Sequence, residues 1–116
     1  MRRDAIRLAF HGERYLAPAE DFVRSLSKYM IKSLFLAGHH TVICDETNFS
    51  RAARNYNRDA SWDTEFHYVP TSKEICQERA IKTDQADLVP VIEEMANRWE
   101  DFEPDDTVIT YPVEVR

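Results

Sequence analysis

The chain has 116 residues, 43% of them hydrophobic, so we expect one domain over residues 1–116 whose core needs no metal or disulfide. Its 21 acidic and 15 basic residues give a net charge of -6, which argues against a general nucleic-acid coat protein because such proteins need a basic face. Two cysteines, Cys44 and Cys76, exclude a disulfide framework, and no apolar run is long enough to span a bilayer, so we expect a soluble cytoplasmic protein without membrane contacts.

The first half of the sequence predicts one long helix followed by a strand. A helical pattern covers residues 18–37, and Gly38 is placed to end it. Its apolar residues recur at spacings of three and four and are Phe22, Val23, Leu26, Tyr29, Met30 and Leu34. Residues 41–44 form a β-branched apolar run without alternation, which predicts a strand buried on both faces.

The second half alternates helices with strands. The predicted elements are helices over 51–60, over 73–81 and from Pro90 to a break at 103–106, and strands over 65–69 and 107–115. Ser50 and Ser72 are the expected N-caps of the first two of these helices. Pro112 marks the last strand as an edge strand. The alternation predicts an α/β sandwich with a small, mostly parallel sheet of about three strands.

Polar side chains follow the first predicted strand directly. Functional groups gather at the carboxyl ends of parallel strands, which points to Asp45, Glu46, Thr47 and Asn48. Neighbours in a strand face opposite sides, so we expect only one of the two carboxylates to enter any cleft. That carboxylate either accepts a proton from a substrate hydroxyl or holds a magnesium-bound water, or it is merely solvated. Thr47 and Asn48 fit a turn equally well.

Two groups of cations have both a functional and a structural interpretation. Arg3 and Arg7 would share one helix face with Asp4 beside them, which suits either phosphate binding or a solvated N-terminus. Arg79 and Lys82 lie where a helix ends and a polar loop begins. They either complement the helix dipole or neutralise charge during phosphoryl transfer.

In this order, the clusters resemble the polynucleotide 5′-kinase type of P-loop kinase over residues 3–100. The resemblance implies an incomplete form of that family's three-layer α/β sandwich. Residues 3–7, Arg-Asp-Ala-Ile-Arg, resemble the segment after the second strand of that family, and residues 42–48 resemble its third-strand signature. Residues 75–79 are similar to its lid helix, and residues 89–100 to the helix after the lid. The catalytic residues that this resemblance implies are Asp45, Glu46 and Arg79. The substrate-binding residues that it implies are Asp4, Arg7, Thr47, Asn48 and Lys82.

The sequence also departs from that family. Gly12 and Gly38 are far apart and neither precedes Lys-Ser or Lys-Thr, so we expect no phosphate-binding loop within the chain. In the family, that loop and the first strand would precede Met1, and the first strand would lie between the strands at 41–44 and 65–69. We therefore expect these two strands to pair directly, or to receive a strand from a second chain. Thr83 stands where a second lid arginine is expected.

Three functions remain open from the sequence. The first is a kinase-like domain without catalysis that keeps the acceptor-side and lid residues. The second is an ATP-dependent kinase of a nucleic-acid 5′ end or a small hydroxyl substrate, with the phosphate loop supplied by another chain or by upstream sequence. The third is an unrelated small α/β interaction domain. We expect no cofactor or metal on the isolated chain, and ATP with magnesium only where a phosphate loop is supplied. The partners that remain open are a second copy, a strand donor, a nucleic-acid 5′ end and a phosphorylated small molecule.

Overall fold

The chain combines five α-helices with a small parallel sheet, in a computed structural model that describes residues 1–12 and 15–112. This confirms the small α/β class. The backbone divides into two compact units, Met1–Thr47 and Asn48–Arg116. Each unit has its own buried side chains, and each is described separately below.

The first unit contains two helices. Helix α1 spans Arg3–His11 and ends at Gly12, whose φ of 72° lies in the left-handed region that favours glycine at a helix C-terminus. A 3₁₀ turn, Ala17–Ala19, leads into α2, Glu20–Leu36. The predicted helix over 18–37 is therefore confirmed, and Gly38 follows its end with a φ of 101°.

Helix α2 buries a different face from the one that its large apolar residues suggest. The buried residues are Glu20, Val23, Ser27 and Ile31, whereas Phe22, Tyr29 and Met30 of the predicted stripe are exposed. The predicted orientation is wrong in this respect because α2 carries two apolar stripes. Helix α1 packs on the stripe with the smaller side chains, and its Ile6 is buried there.

The predicted strand over 41–44 is not formed. Exposure alternates from Thr41 to Thr47, and Ile43 is 78% exposed, so the segment is not buried on both faces. Its backbone partner is the short stretch Met1–Arg2, which provides one isolated parallel bridge between Arg2 and Asp45. A strand needs a repeated ladder of bonds, and this single bridge does not supply one.

The second unit begins with a six-residue helix, α3, at Arg51–Tyr56. Two serines cap helices as predicted: Ser50 Oγ accepts from the Ala53 amide at 3.1 Å, and Ser72 Oγ from the Ile75 amide at 3.3 Å. The remaining elements are β1 at Phe66–Tyr68, α4 at Lys73–Lys82, a 3₁₀ turn at Ala86–Leu88, α5 at Val89–Asn97 and β2 at Val108–Thr110. Helix α3 ends four residues before the predicted end at residue 60, because the chain turns through an antiparallel bridge between Asp59 and Trp62.

The sheet has two strands in the described part of the chain. Strand β1 pairs in parallel with β2, and Phe66, His67 and Tyr68 lie opposite Val108, Ile109 and Thr110. The expected third strand and the expected direct pairing of 41–44 with 65–69 are wrong, because 41–44 forms no strand and β1 pairs with β2. Strand β2 lies within the predicted strand over 107–115, whose last three residues are outside the described ranges. The full three-layer kinase sandwich stays a prediction.

Candidate functional site

Two adjacent carboxylates in the first unit have opposite environments. Alternation along residues 41–47 turns the Glu46 side chain inward, where it is 3% exposed, and the Asp45 side chain outward, where it is 73% exposed. The two side chains thus face opposite sides of the segment, as neighbours in an extended chain do. That only one of them enters a ligand cleft stays a prediction. Thr47, the next predicted site residue, is exposed.

Glu46 is held between α1 and α2. Its Oε1 lies 3.0 Å from Arg3 Nε, and Arg3 Nε is not aligned for a hydrogen bond in this contact, which is therefore an ion pair. The fully buried Ser27 donates a hydrogen bond to the same oxygen across 3.5 Å. A carboxylate, a guanidinium and a hydroxyl thus meet at one largely buried point.

Backbone contacts bring the N-terminal residues beside the same segment. The Met1 ammonium donates to the Ile43 carbonyl at 2.6 Å, and the Asp45 amide donates to the Met1 carbonyl at 2.9 Å. Arg2 Nε and Asp45 Oδ2 form an exposed ion pair at 3.3 Å. The segment after Arg2 and the segment after Cys44 therefore start side by side.

Arg7 is bound by two carboxylates at once. Its Nε and Nη2 donate to the two oxygens of Glu20 at 2.9 and 2.6 Å, and its Nη1 donates to Asp4 Oδ1 at 2.8 Å. The Glu20 hydrogen bonds raise the pKa of Arg7 above its usual value, although burial opposes this shift. Arg7 stays cationic, with a half-exposed partner in Asp4 and a buried one in Glu20.

Cys44 lies next to this cluster as a neutral thiol. Burial raises the pKa of the Cys44 thiol, and the charge of Glu46 raises it further. Because the thiolate is the nucleophilic form of cysteine, these surroundings make Cys44 a packing residue.

The other predicted site residues belong to the second unit. Asn48 adopts a φ of 44°, and its side-chain oxygen accepts from Asn57 Nδ2 at 3.1 Å. This bond fixes Asn48 to the C-terminal end of α3 and differs from the local turn bond that the sequence left open. Lys82 is exposed and pairs with Glu78 at 3.3 Å, one helical turn away on α4. Arg79 is exposed and forms no ion pair with residues 1–12 or 15–112. From the resemblance and the strand-end rule, we expect Arg79 to lie on one cleft rim with Asp4, Arg7 and either Asp45 or Glu46, and this stays a prediction.

The sequence analysis missed Arg54, the most deeply buried charged residue among those described. It is 1% exposed and lies over the rings of Trp99 and Phe102. One signal was present, since the α3 sequence Arg-Ala-Ala-Arg-Asn-Tyr has no aliphatic side chain larger than alanine. A longer side chain has to fill the inner face of such a helix.

A pocket of about 520 Å³ opens in the second unit. Its lining includes Arg58, Asp59, Trp62, Asp63, Thr64 and Thr107. None of the predicted site residues lines it. Arg58 is engaged there by Asp106 and lies over the Phe66 ring, so its contacts support the fold of the second unit.

Two searches of the described residues gave no candidate. Residues 1–12 and 15–112 contain no group of three or more histidine, cysteine or acidic side chains arranged to hold a metal ion. Within the same ranges, no helix has both the length and the apolar character needed to cross a bilayer. Comparison of the chain with protein-family models, with curated proteins and with solved structures finds no match.

Proposed function

We propose that this chain is a polynucleotide-kinase-like domain that binds the hydroxyl end of a nucleic acid, or a small hydroxyl substrate, without transferring a phosphoryl group on its own. The proposal depends most on the contact between Arg3 and Glu46 at 3.0 Å. This contact joins the two segments, 3–7 and 42–48, whose sequences resemble the acceptor side of that family. Because these two segments are far apart in the sequence, they can form one acceptor site only if they lie in contact in the fold.

The chemistry of the first unit suits a hydroxyl acceptor. Glu46 supplies a carboxylate oxygen in a largely water-free position, and such an oxygen accepts a hydrogen bond or a proton from a hydroxyl. Asp45, directly before it, is in water and is the carboxylate that an approaching ligand meets first. The two carboxylates are thus assigned different roles, Asp45 at the rim and Glu46 inside.

Arg7 and Asp4 provide the second half of the proposed site. Two hydrogen bonds to the buried Glu20 orient the Arg7 guanidinium, while Asp4 is half exposed. A ligand oxygen competes more easily with Asp4 than with Glu20, because displacing Asp4 uncovers no buried charge. The pair then presents one donor and one acceptor to the same ligand, as the resemblance implies for these two positions.

The absence of transfer by the isolated chain follows from its glycines. Kinases of this type position the β- and γ-phosphates with loop amides, a lysine and magnesium, and their catalysis is largely that positioning. Gly12 and Gly38 provide no such loop.

Arg79 favours a second candidate function, a kinase completed by a phosphate loop from another chain or from upstream sequence. An exposed arginine at the end of α4 that has no ion-pair partner in the described ranges suits a role in neutralising transferred phosphate. Phosphate transfer by the protein isolated with its native partners, lost on Arg79→Ala, would support this candidate over the first. Transfer that Arg79→Ala leaves intact would exclude the lid role.

Fluorescence anisotropy with a labelled linear oligonucleotide that bears a 5′-hydroxyl tests the first candidate. A circular oligonucleotide of the same sequence has the same phosphates but no end. We expect it to bind about tenfold more weakly, because it lacks the hydroxyl that the site recognises. Equal binding of the linear and circular forms would contradict the proposal, and the same result would favour the unrelated interaction domain.

Three variants locate the binding within the chain. Glu46→Gln and Thr47→Ala should both weaken binding of the linear form, and Thr47→Ala serves as the variant that leaves the buried ion pair intact. Glu94→Gln, an exposed carboxylate on α5, should bind like the parent chain. Loss of binding in Glu94→Gln alone would move the site to the second unit and contradict the proposal.

A further inference from the structure

Helix α2 carries an outward-facing stripe of mainly apolar residues, in which Leu26 is half-buried. Phe22, Leu26, Tyr29 and Ser33 follow one another at spacings of four, three and four, so their side chains lie along one line of the helix. Phe22 is 57% exposed and Tyr29 is 74% exposed. Phe10 of α1 extends the line, because its ring centroid lies 5.9 Å from that of Phe22. We call these five residues the α2 stripe.

A polar line runs beside this stripe with the same spacing. Asp21, Ser25, Lys28 and Lys32 each precede a stripe residue by one position. The acid therefore lies near the N-terminal end of α2 and the two lysines lie towards its C-terminal end. Asp21 is exposed even though it pairs with Arg24 on its own helix.

We infer that two copies of this chain associate through the α2 stripe, with their α2 helices antiparallel about a twofold axis near Leu26. In such a pair the polar line of one α2 lies beside the polar line of the other, and the two lines run in opposite directions. Asp21 then faces Lys32 of the partner subunit, and Lys32 faces the partner subunit's Asp21. In a parallel twofold pair this flank would instead meet the opposite flank of the partner helix, so Asp21 and Lys32 would gain no such contact.

The exposed area of the stripe agrees with this assignment. An aromatic side chain covers about 150–250 Å², so Phe10, Phe22 and Tyr29 together expose on the order of 400 Å². This is about half of the roughly 800 Å² that each partner buries in a stable interface. Leu26 within the stripe, and Met30 and Leu36 beside it, supply much of the remainder.

Light scattering after size-exclusion chromatography of the full chain at about 100 µM tests the inference, since a weak dimer is populated at that concentration. We expect the mass of a dimer for the parent chain and of a monomer for Tyr29→Glu. Ile81→Glu, at an exposed apolar position on α4, should remain dimeric. A monomeric parent chain, or a dimer that Tyr29→Glu leaves unchanged, would overturn the inference.

Charge exchange tests the antiparallel orientation without introducing a charge into the apolar stripe. Asp21→Lys and Lys32→Glu should each weaken the dimer about tenfold, because each converts two attractive contacts into two repulsive ones. The double variant restores both attractive pairs and should return the dissociation constant to near the parent value. Absence of this rescue would overturn the antiparallel register, whether or not the chain is dimeric.

Discussion

Arg54 lies against Phe102, with 4.7 Å between the guanidinium carbon and the ring centroid. Its Nη2 donates to the carbonyl oxygens of Glu100 and Asp101 at 2.6 and 3.0 Å, and its Nη1 donates to the Asn48 carbonyl at 2.9 Å. One buried side chain on a six-residue helix thus binds three backbone carbonyls, one just before the helix and two more than forty residues away in the chain. This makes Arg54 the main connection between α3 and residues 100–102.

We expect Arg54→Lys to lower the free energy of unfolding by about 2–3 kcal/mol, because an ammonium has no planar fork to reach all three carbonyls and leaves buried acceptors unpaired. Chemical denaturation monitored by tryptophan fluorescence measures the change. Arg51→Lys is the matched control, since Arg51 is half exposed on the same helix, and it should cost less than about 0.5 kcal/mol. Equal losses in the two variants would contradict the role assigned to Arg54.

The adjacent carboxylates allow a second matched comparison. Glu46→Gln should lower the free energy of unfolding by about 1–3 kcal/mol, because it leaves the largely buried Arg3 without its opposing charge. Asp45→Asn removes an exposed ion pair and should change it by less than about 0.5 kcal/mol. If Asp45→Asn lowered the free energy of unfolding more than Glu46→Gln did, the assignment of Glu46 to the interior would be wrong.

Local signals in the sequence predicted where helices α2 to α5 start, although α5 ends at Asn97, before the predicted break at 103–106. Ser50 and Ser72 act as N-caps, and Pro90 lies in the first turn of α5. These features depend on a few neighbouring residues, so the sequence contains all that is needed to predict them. That Asp45 and Glu46 face opposite sides followed from the alternation of an extended chain in the same way, but the sequence did not indicate which of them would turn inward.

Features that depend on contacts with distant residues of the same chain were predicted poorly. Residues 41–44 have strand composition, but a strand also needs a partner over several residues, and the bridge beside this segment joins only Arg2 and Asp45. Helix α2 has two apolar stripes, and the sequence does not say which of them α1 will cover. Arg54 was missed for a related reason, because its burial requires carbonyls and aromatic rings more than forty residues away in the chain.

The thiol of Cys44 provides a prediction on pH. Burial and Glu46 raise its pKa, so the folded chain retains the thiol proton to a higher pH than the unfolded chain, whose thiol titrates near pH 8.5. This contribution to stability is complete below about pH 8.5 and is lost as the pH rises through the folded pKa. The free energy of unfolding between about pH 8 and 10 should therefore fall more steeply in the parent chain than in Cys44→Ala. Parallel profiles in that range would contradict the assignment.

ATP with magnesium should leave the melting temperature of the isolated chain unchanged, because the sequence provides no phosphate-binding loop. A dissociation constant of about 1 mM would add about 1.4 kcal/mol at about 10 mM ATP. Such a gain would raise the melting temperature of a domain of this size by about 5 °C or more. Differential scanning fluorimetry with and without magnesium detects a shift of that size. A magnesium-dependent rise would show that the chain binds nucleotide by other residues.

Mapping of a bound acceptor by NMR tests the central proposal most directly. A short oligonucleotide with a 5′-hydroxyl is titrated into the isotopically labelled chain, and the backbone amide shifts are followed residue by residue. The proposed site predicts that the largest shifts fall at Asp4, Arg7 and residues 45–48, and that a circular oligonucleotide of the same sequence does not reproduce them. Shifts confined to other parts of the chain, or the same shifts with the circular oligonucleotide, would contradict the proposal.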